Sequence, residues 1–416
     1  MPQSLAPLSL YQTSIPKEPE PKRLAWLEGI RIISAVMILL YHAQLYFGNY
    51  AFTPQPTGLL HNLENLLEMG DRTGIPLPMR MVAIPFWFGF QFLDIFILMS
   101  GFSLVLSLKR QPLATGQFLK RRLLRLLFPF WTVAWLSYPV LWIIGTLTNS
   151  YKPDAWHSFT GLTFPLTMDY RGTLLLSTSG PWWFIPLVIS FTLVFPLLWH
   201  LLQRWGVRNL LLLSLLLTIV YRILAIYVFG GHPTYVVIDT PAHEAPFQLF
   251  LSKLCTFVAG MAIAVAYQKG RGPIFWSQRR ALIMGSLLYI AGFTCQFYRV
   301  GWVIVDLLLP LGLALLSMVL TRHISSIAWL QPGLIRLGAC SYSYFLIHNF
   351  VVDRTLNLIV QGDLVRYLVL LPVMIGLTLI LAVGVDAICP AFQQLILTIW
   401  HSIDSTLCRP SQKMTR

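Results

Sequence analysis

Along most of this chain the apolar positions form long unbroken runs, neither the alternation of a half-buried strand nor the one-faced stripe of a soluble helix. A helix needs about 20 apolar residues to cross the hydrocarbon of a bilayer. Ten runs approach that length, at 30–48, 84–107, 126–148, 181–203, 209–229, 247–267, 281–298, 302–320, 339–361 and 367–387. The seventh is short, and only a very tight turn separates it from the eighth. The pattern predicts an all-α fold, a polytopic transmembrane helix bundle of about ten spans. Two connections are long, 49–83 and 149–180. In the first, "GLLHNLENLLEMGDR" repeats leucine at helical spacing, which predicts a helix lying along the membrane surface. The connection at 230–246 is rich in Gly, Pro and His. The chain divides into a polar, proline-rich segment at 1–23, a membrane domain at 24–390 and a tail at 391–416.

Composition agrees with this pattern: 56% of the 416 residues are hydrophobic and 11% are charged, against about 25% charged in soluble domains. The N-terminal segment has no early apolar run and does not read as a cleaved signal peptide. The five cysteines show no CxxC spacing and read as reduced packing residues; no metal-ligand pattern is present. With the N-terminus in the cytoplasm, about three times as many Lys and Arg flank the inner ends of the spans as the outer ends. That bias favours ten spans with both termini inside. It also accounts for the net charge of +14 without nucleic-acid binding.

Ionisable side chains inside a span are costly, about 2.5–3.5 kcal/mol each on insertion scales, and each needs a reason. The apolar runs contain His42, Asp94, Arg222, Lys253, Asp306 and His348. In "RIISAVMILLYH", Arg31 and His42 are eleven residues apart, within about 20° of three full helical turns. They share one face, separated by roughly 16 Å of rise. Arg31 reads either as a topology anchor or as a docking group, and His42 either as a packed histidine or as a base. In "FLKRRLLRLLFPFW", Arg122 and Arg125 share a helix face at the membrane surface. Their planar forks suit a polyphosphate, although such clusters also simply hold a loop inside. Asp94 lies at a depth close to that of His42. It could orient the imidazole there, or it could pair with Arg222 or Lys253 as a structural bridge.

Taken in order, "LEGIRIISAVMILLYH", "FLDIFILMSGFSLVLSL" with "FLKRRLLRLLFPFW", "GPWWFIPLVI" and "CSYSYFLIHNFVV" resemble the acyltransferase 3 family, integral-membrane enzymes that acylate surface glycans, lipids and some natural products. Each motif alone is weak; four in the right order on a ten-span chain are specific. The resemblance implies an acyl-CoA-dependent O-acyltransferase of the plasma membrane. His42 would be the catalytic histidine, and Arg31, Arg122 and Arg125 would bind the donor; its depth makes Asp94 the candidate catalytic partner of His42. Glu28, Ser100, Trp182, Trp183, Tyr342 and His348 would line the site. Glu28 stands where the family often has Asp. No bound cofactor is implied; the partners are acyl-CoA, with acetyl the leading acyl group, a hydroxyl-bearing glycan or lipid acceptor, and membrane lipids.

Two further readings compete with these expectations. "HNFVVD" fits an HxxxxD acyltransferase pattern, but His348 and Asp353 on one helix stand roughly 140° apart and should not meet. A transporter or flippase could use Asp94, Arg222, Lys253 and Asp306 as a relay, yet no pair of broken, repeated halves is visible.

Overall fold

The computed structural model describes residues 24–48, 53–108, 114–149, 152, 154–155, 159, 180–228 and 248–407. The 1–23 segment, the 230–246 connection, most of 149–180 and the last residues of the tail lie outside them. Twelve α-helices carry the described chain: α1 (Ala25–Phe47), α2 (Leu59–Thr73), α3 (Leu77–Ala83), α4 (Phe92–Ser107), α5 (Thr115–Leu147), α6 (Phe184–Ile223), α7 (Gln248–Gln268), α8 (Gln278–Cys295), α9 (Val305–Ser325), α10 (Gln331–Ala339), α11 (Ser341–Thr355) and α12 (Leu364–Leu407). Among the described residues there is no strand, only an isolated bridge between Thr57 and Tyr298. The architecture is the expected all-α membrane bundle.

Seven helical stretches are long and apolar enough to cross a membrane, fewer than the ten runs read from the sequence. The difference has local causes. Pro181–Val228 forms one continuous stretch, but Gly206 breaks it with φ 76 and ψ 172, a conformation that costs an L side chain and not glycine. The runs before and after Gly206 are the fourth and fifth runs of the sequence pattern. Helix α8 is only 18 residues long and spends Arg279 and Arg280 in its first turn. Helix α11 is 15 residues long and continues as a π-turn over Leu356–Val360.

The rim of the bundle is apolar. Leu212, Leu216 and Val220 on α6, Leu287 and Ile290 on α8, and Val369, Val373 and Ile380 on α12 are all exposed. Side chains of this kind belong against lipid, not water. The 59–73 stretch is helical as expected. It turns Leu66 into a small cluster with Ala83, Trp87 and Phe297 and leaves Leu60 and Leu67 exposed.

Helix α1 is central, packed against α4, α9, α10 and α11. Ala35, Ile38, Leu39 and Ala43 are fully buried in the main core. Helices α4 and α7 come unusually close: a Cβ on Gly101 would lie 2.2 Å from the Phe257 carbonyl oxygen, and one on Gly260 would lie 2.0 Å from that of Leu98. Only glycine permits this backbone contact.

Candidate active site

Three layers of polar side chains occupy the core around α1. The first gathers the arginines. Arg31 pairs with Glu28, Nη1 to Oε2 at 3.1 Å, and its Nη2 donates to Ser103 Oγ at 3.1 Å. Arg122 projects from α5 toward α4, and its Nη2 donates to Ser100 Oγ at 3.2 Å. Arg31 and Arg125 lie close enough for their positive charges to act on Arg122. Among the described residues no carboxylate pairs with Arg122, and its buried Nε has no hydrogen-bond partner. Among the described residues Glu28 is the acid that pairs in this cluster, and it pairs with Arg31. The hydroxyl of Tyr342 donates to the Leu126 carbonyl at 3.1 Å, tying α11 to α5 at this level.

The second layer lies further along α1. The ring of His42 is half-buried and that of His348 fully buried. Their centroids are 5.1 Å apart, with His348 Nε2 at 3.3 Å from His42 Nδ1. His42 Nδ1 also faces the Ile38 carbonyl at 2.9 Å, and His348 Nδ1 faces that of Phe345. Trp182, with no exposed surface, donates from Nε1 to the Leu346 carbonyl at 3.0 Å and packs edge-on against Phe130 and Phe350. It thereby holds α11 two residues from His348. Trp183 is half-buried beside Phe184.

The third layer corrects an expectation. Asp94 does not orient His42: its carboxylate pairs with Lys253 on α7, Oδ2 to Nζ at 2.9 Å. Lys253 also reaches Asp306 on α9 at 2.6 Å, and Arg222 on α6 closes on the same carboxylate. Arg222 Nε further donates to the Trp302 carbonyl at 2.8 Å. The physical cause is the close approach of α4 and α7. Asp94 is seven residues before Gly101, and Lys253 is seven before Gly260, so parallel packing at the glycines brings the charges level two turns away. Two acids and two bases, each at most 3% exposed, neutralise one another. This is the structural-bridge alternative rather than the catalytic one.

The arrangement therefore joins Arg31, Arg122, Glu28, Ser100 and Tyr342 at one level and His42, His348 and Trp182 at another. Arg125, three residues from Arg122, is exposed at the margin. Ser103 escaped the sequence reading, although Ser100 and Ser103 stand three apart on one face of α4 and each receives an arginine. Asp353 bonds with Asn357 and Arg354, not with His348.

The acyltransferase domain family matches residues 24–385, most of the chain and all of these side chains. The chain belongs to the acyltransferase 3 family. No curated protein and no solved structure matches it. As an acyltransferase 3 protein it is a multi-pass membrane acyltransferase.

Proposed function

We propose that this acyltransferase moves an acyl group, acetyl first among the candidates, from cytoplasmic acyl-CoA to a hydroxyl of a surface glycan or other membrane-borne acceptor. The observation that carries the reading is the arginine level: a half-buried guanidinium whose Nε is buried, with no acid partner among the described residues, flanked by two more. A cluster with uncompensated positive charge and planar forks suits the phosphates of coenzyme A. One helix face leads from it to His42, about 16 Å along the axis. Placing α1 with Arg31 at the cytoplasmic side of the plasma membrane lets the donor dock without crossing the bilayer, its pantetheine arm following the helix.

His42 then acts as the general base. It takes the proton of the acceptor hydroxyl as that oxygen attacks the thioester carbonyl. Collapse of the tetrahedral intermediate expels the CoA thiolate, which recovers the proton from His42. An acyl-imidazole on His42 would reach the same products in two steps. The acceptor approaches from the other end of α1, past the 49–83 and 149–180 connections. A cleft there is lined by Tyr41, Gln44, Phe86 and Trp87. Gln44 Oε1 and Trp87 Nε1 have no hydrogen-bond partner among the described residues, an acceptor and a donor that suit a hydroxyl-bearing ligand. The transporter reading loses its support, because the relay it requires is a self-neutralised network.

Two variants test the assignment. His42→Ala should lower transfer by about 100-fold or more, the scale of a lost general base, while the protein still binds CoA in detergent; retained transfer would sink the catalytic role. Arg122→Ala combined with Arg125→Ala should raise the KM for acetyl-CoA by about 10-fold or more, as expected from losing hydrogen bonds to charged phosphate. An unchanged KM would return both arginines to topology. Mass spectrometry of surface glycans from cells with and without the gene would identify the acceptor.

A further inference from the structure

His348 has an assignable role in the chemistry at His42, resting on that residue being the base. Both nitrogens of His348 and one of His42 are committed by neighbours that leave no choice of proton. A carbonyl oxygen can only accept, so His348 Nδ1, facing the Phe345 carbonyl, carries a hydrogen. His42 Nδ1, at 2.9 Å from the Ile38 carbonyl, carries one for the same reason. His348 Nε2 stands 3.3 Å from that same His42 Nδ1. Two N–H groups facing each other would repel, so His348 Nε2 presents its lone pair. A second proton on His348 would bury a charge at zero exposure, with no acid in contact among the described residues. The network has one consistent solution: both rings neutral, both protonated at Nδ1, with the His42 hydrogen shared between the Ile38 carbonyl and His348.

We propose that His348 is a positioning residue that holds His42 as its Nδ1–H tautomer, so that Nε2 of His42 is the reacting nitrogen. That atom has no hydrogen-bond partner among the described residues, and His42 keeps an accessible surface. The arrangement does with a neutral ring what a carboxylate does in a Ser-His-Asp triad: it selects the tautomer, fixes the ring and accepts from it when Nε2 gains a proton. A neutral acceptor suits a site deep in a bundle, because no second charge has to be buried. Two features fix the acceptor itself. His348 is braced by a carbonyl three residues back on its own helix, and Trp182 clamps that helix through the Leu346 carbonyl.

Two near-isosteres separate positioning from mere support. In His348→Gln the amide oxygen can stand where Nε2 stood and still accept from His42. In His348→Asn the amide stands where Nδ1 stood and can satisfy only the Phe345 carbonyl. Inverted membrane vesicles from cells expressing the full chain would be given labelled acetyl-CoA, and incorporation of acetyl followed at varied donor concentration. The expected result is a kcat about 10-fold or more higher for Gln than for Asn, the worth of one hydrogen bond to a group that gains a charge, with donor KM alike in both. His348→Ala should fall with Asn. Equal rates for Gln and Asn, at whatever level, overturn the proposal, as does Asn above Gln. His42→Ala in the same vesicles keeps the two claims apart. Activity there removes the base assignment altogether, whereas a dead His42→Ala with equal Gln and Asn rates removes only the role of His348.

Discussion

The arginines are held by serines as much as by acids. Ser103 and Ser100 each present a hydroxyl from α4 to one guanidinium, and a hydroxyl can hold a cation in place without cancelling its charge. Ser103→Ala should therefore raise the KM for acetyl-CoA by about 2- to 10-fold, the worth of one hydrogen bond, and leave kcat unchanged. A donor titration of initial rates checks this, and an unmoved KM would make Arg31 an anchor alone. Arg31 with His42, and Arg122 with Arg125, were legible as pairs because helical arithmetic depends only on the sequence between them, while only the family resemblance joined the two pairs. The partner of Asp94 was not legible, because four buried charges admit several pairings and the choice belongs to helix packing. His348 was visible as a lining residue, but its contact with His42 joins helices about 300 residues apart in the chain. No spacing rule reaches that far.

Among the elements, the junction of α4 with α7 decides most about the inner bundle. Two glycines bring the backbones together, and the Asp94–Lys253–Asp306–Arg222 network joins α4, α6, α7 and α9. Lys253→Met would take from Asp94 its cation and remove one of the two cations that Asp306 faces. Breaking a buried pair from one side costs about 3–5 kcal/mol, so thermal unfolding in detergent should begin markedly earlier. Adding Asp94→Asn removes the stranded charge and should recover much of that loss. A double mutant no more stable than Lys253→Met would disprove the pairing. Gly260→Val should act like Lys253→Met with every charge in place, because its side chain would meet the Leu98 carbonyl. In hindsight the seven-residue spacing of acid to glycine in α4 and of base to glycine in α7 was readable, but the meaning of that match depended on the helices running parallel.

For the whole molecule, ten apolar runs and seven qualifying helical stretches describe the same chain, separated by a glycine break and two short helices. The glycine break was legible, because Gln203, Arg204, Arg208 and Asn209 flank Gly206 and divide the fourth run from the fifth. Apolar content alone, by contrast, does not show that α8 opens on two arginines or that α11 ends after 15 residues. The orientation proposed from flanking cations has a direct test. A cysteine at Glu64 should react with an impermeant maleimide on intact cells, and one at Arg280 only after permeabilisation; both sites are exposed. The reverse pattern would turn the bundle over and put the arginine level on the wrong side for a cytoplasmic donor. That level also bears on how the protein should be handled. Arg31 has Glu28 while Arg122 has no carboxylate among the described residues, and the repulsion of Arg122 by Arg31 and Arg125 is a standing cost that any bound polyanion relieves. Binding and folding are then linked, and stability rises with occupancy as mass action requires. Inorganic pyrophosphate, which has no acyl group to give, should raise the melting temperature and compete with the donor. Purification would go best in a buffer that acts as counter-ion, and activity would have to be measured without it.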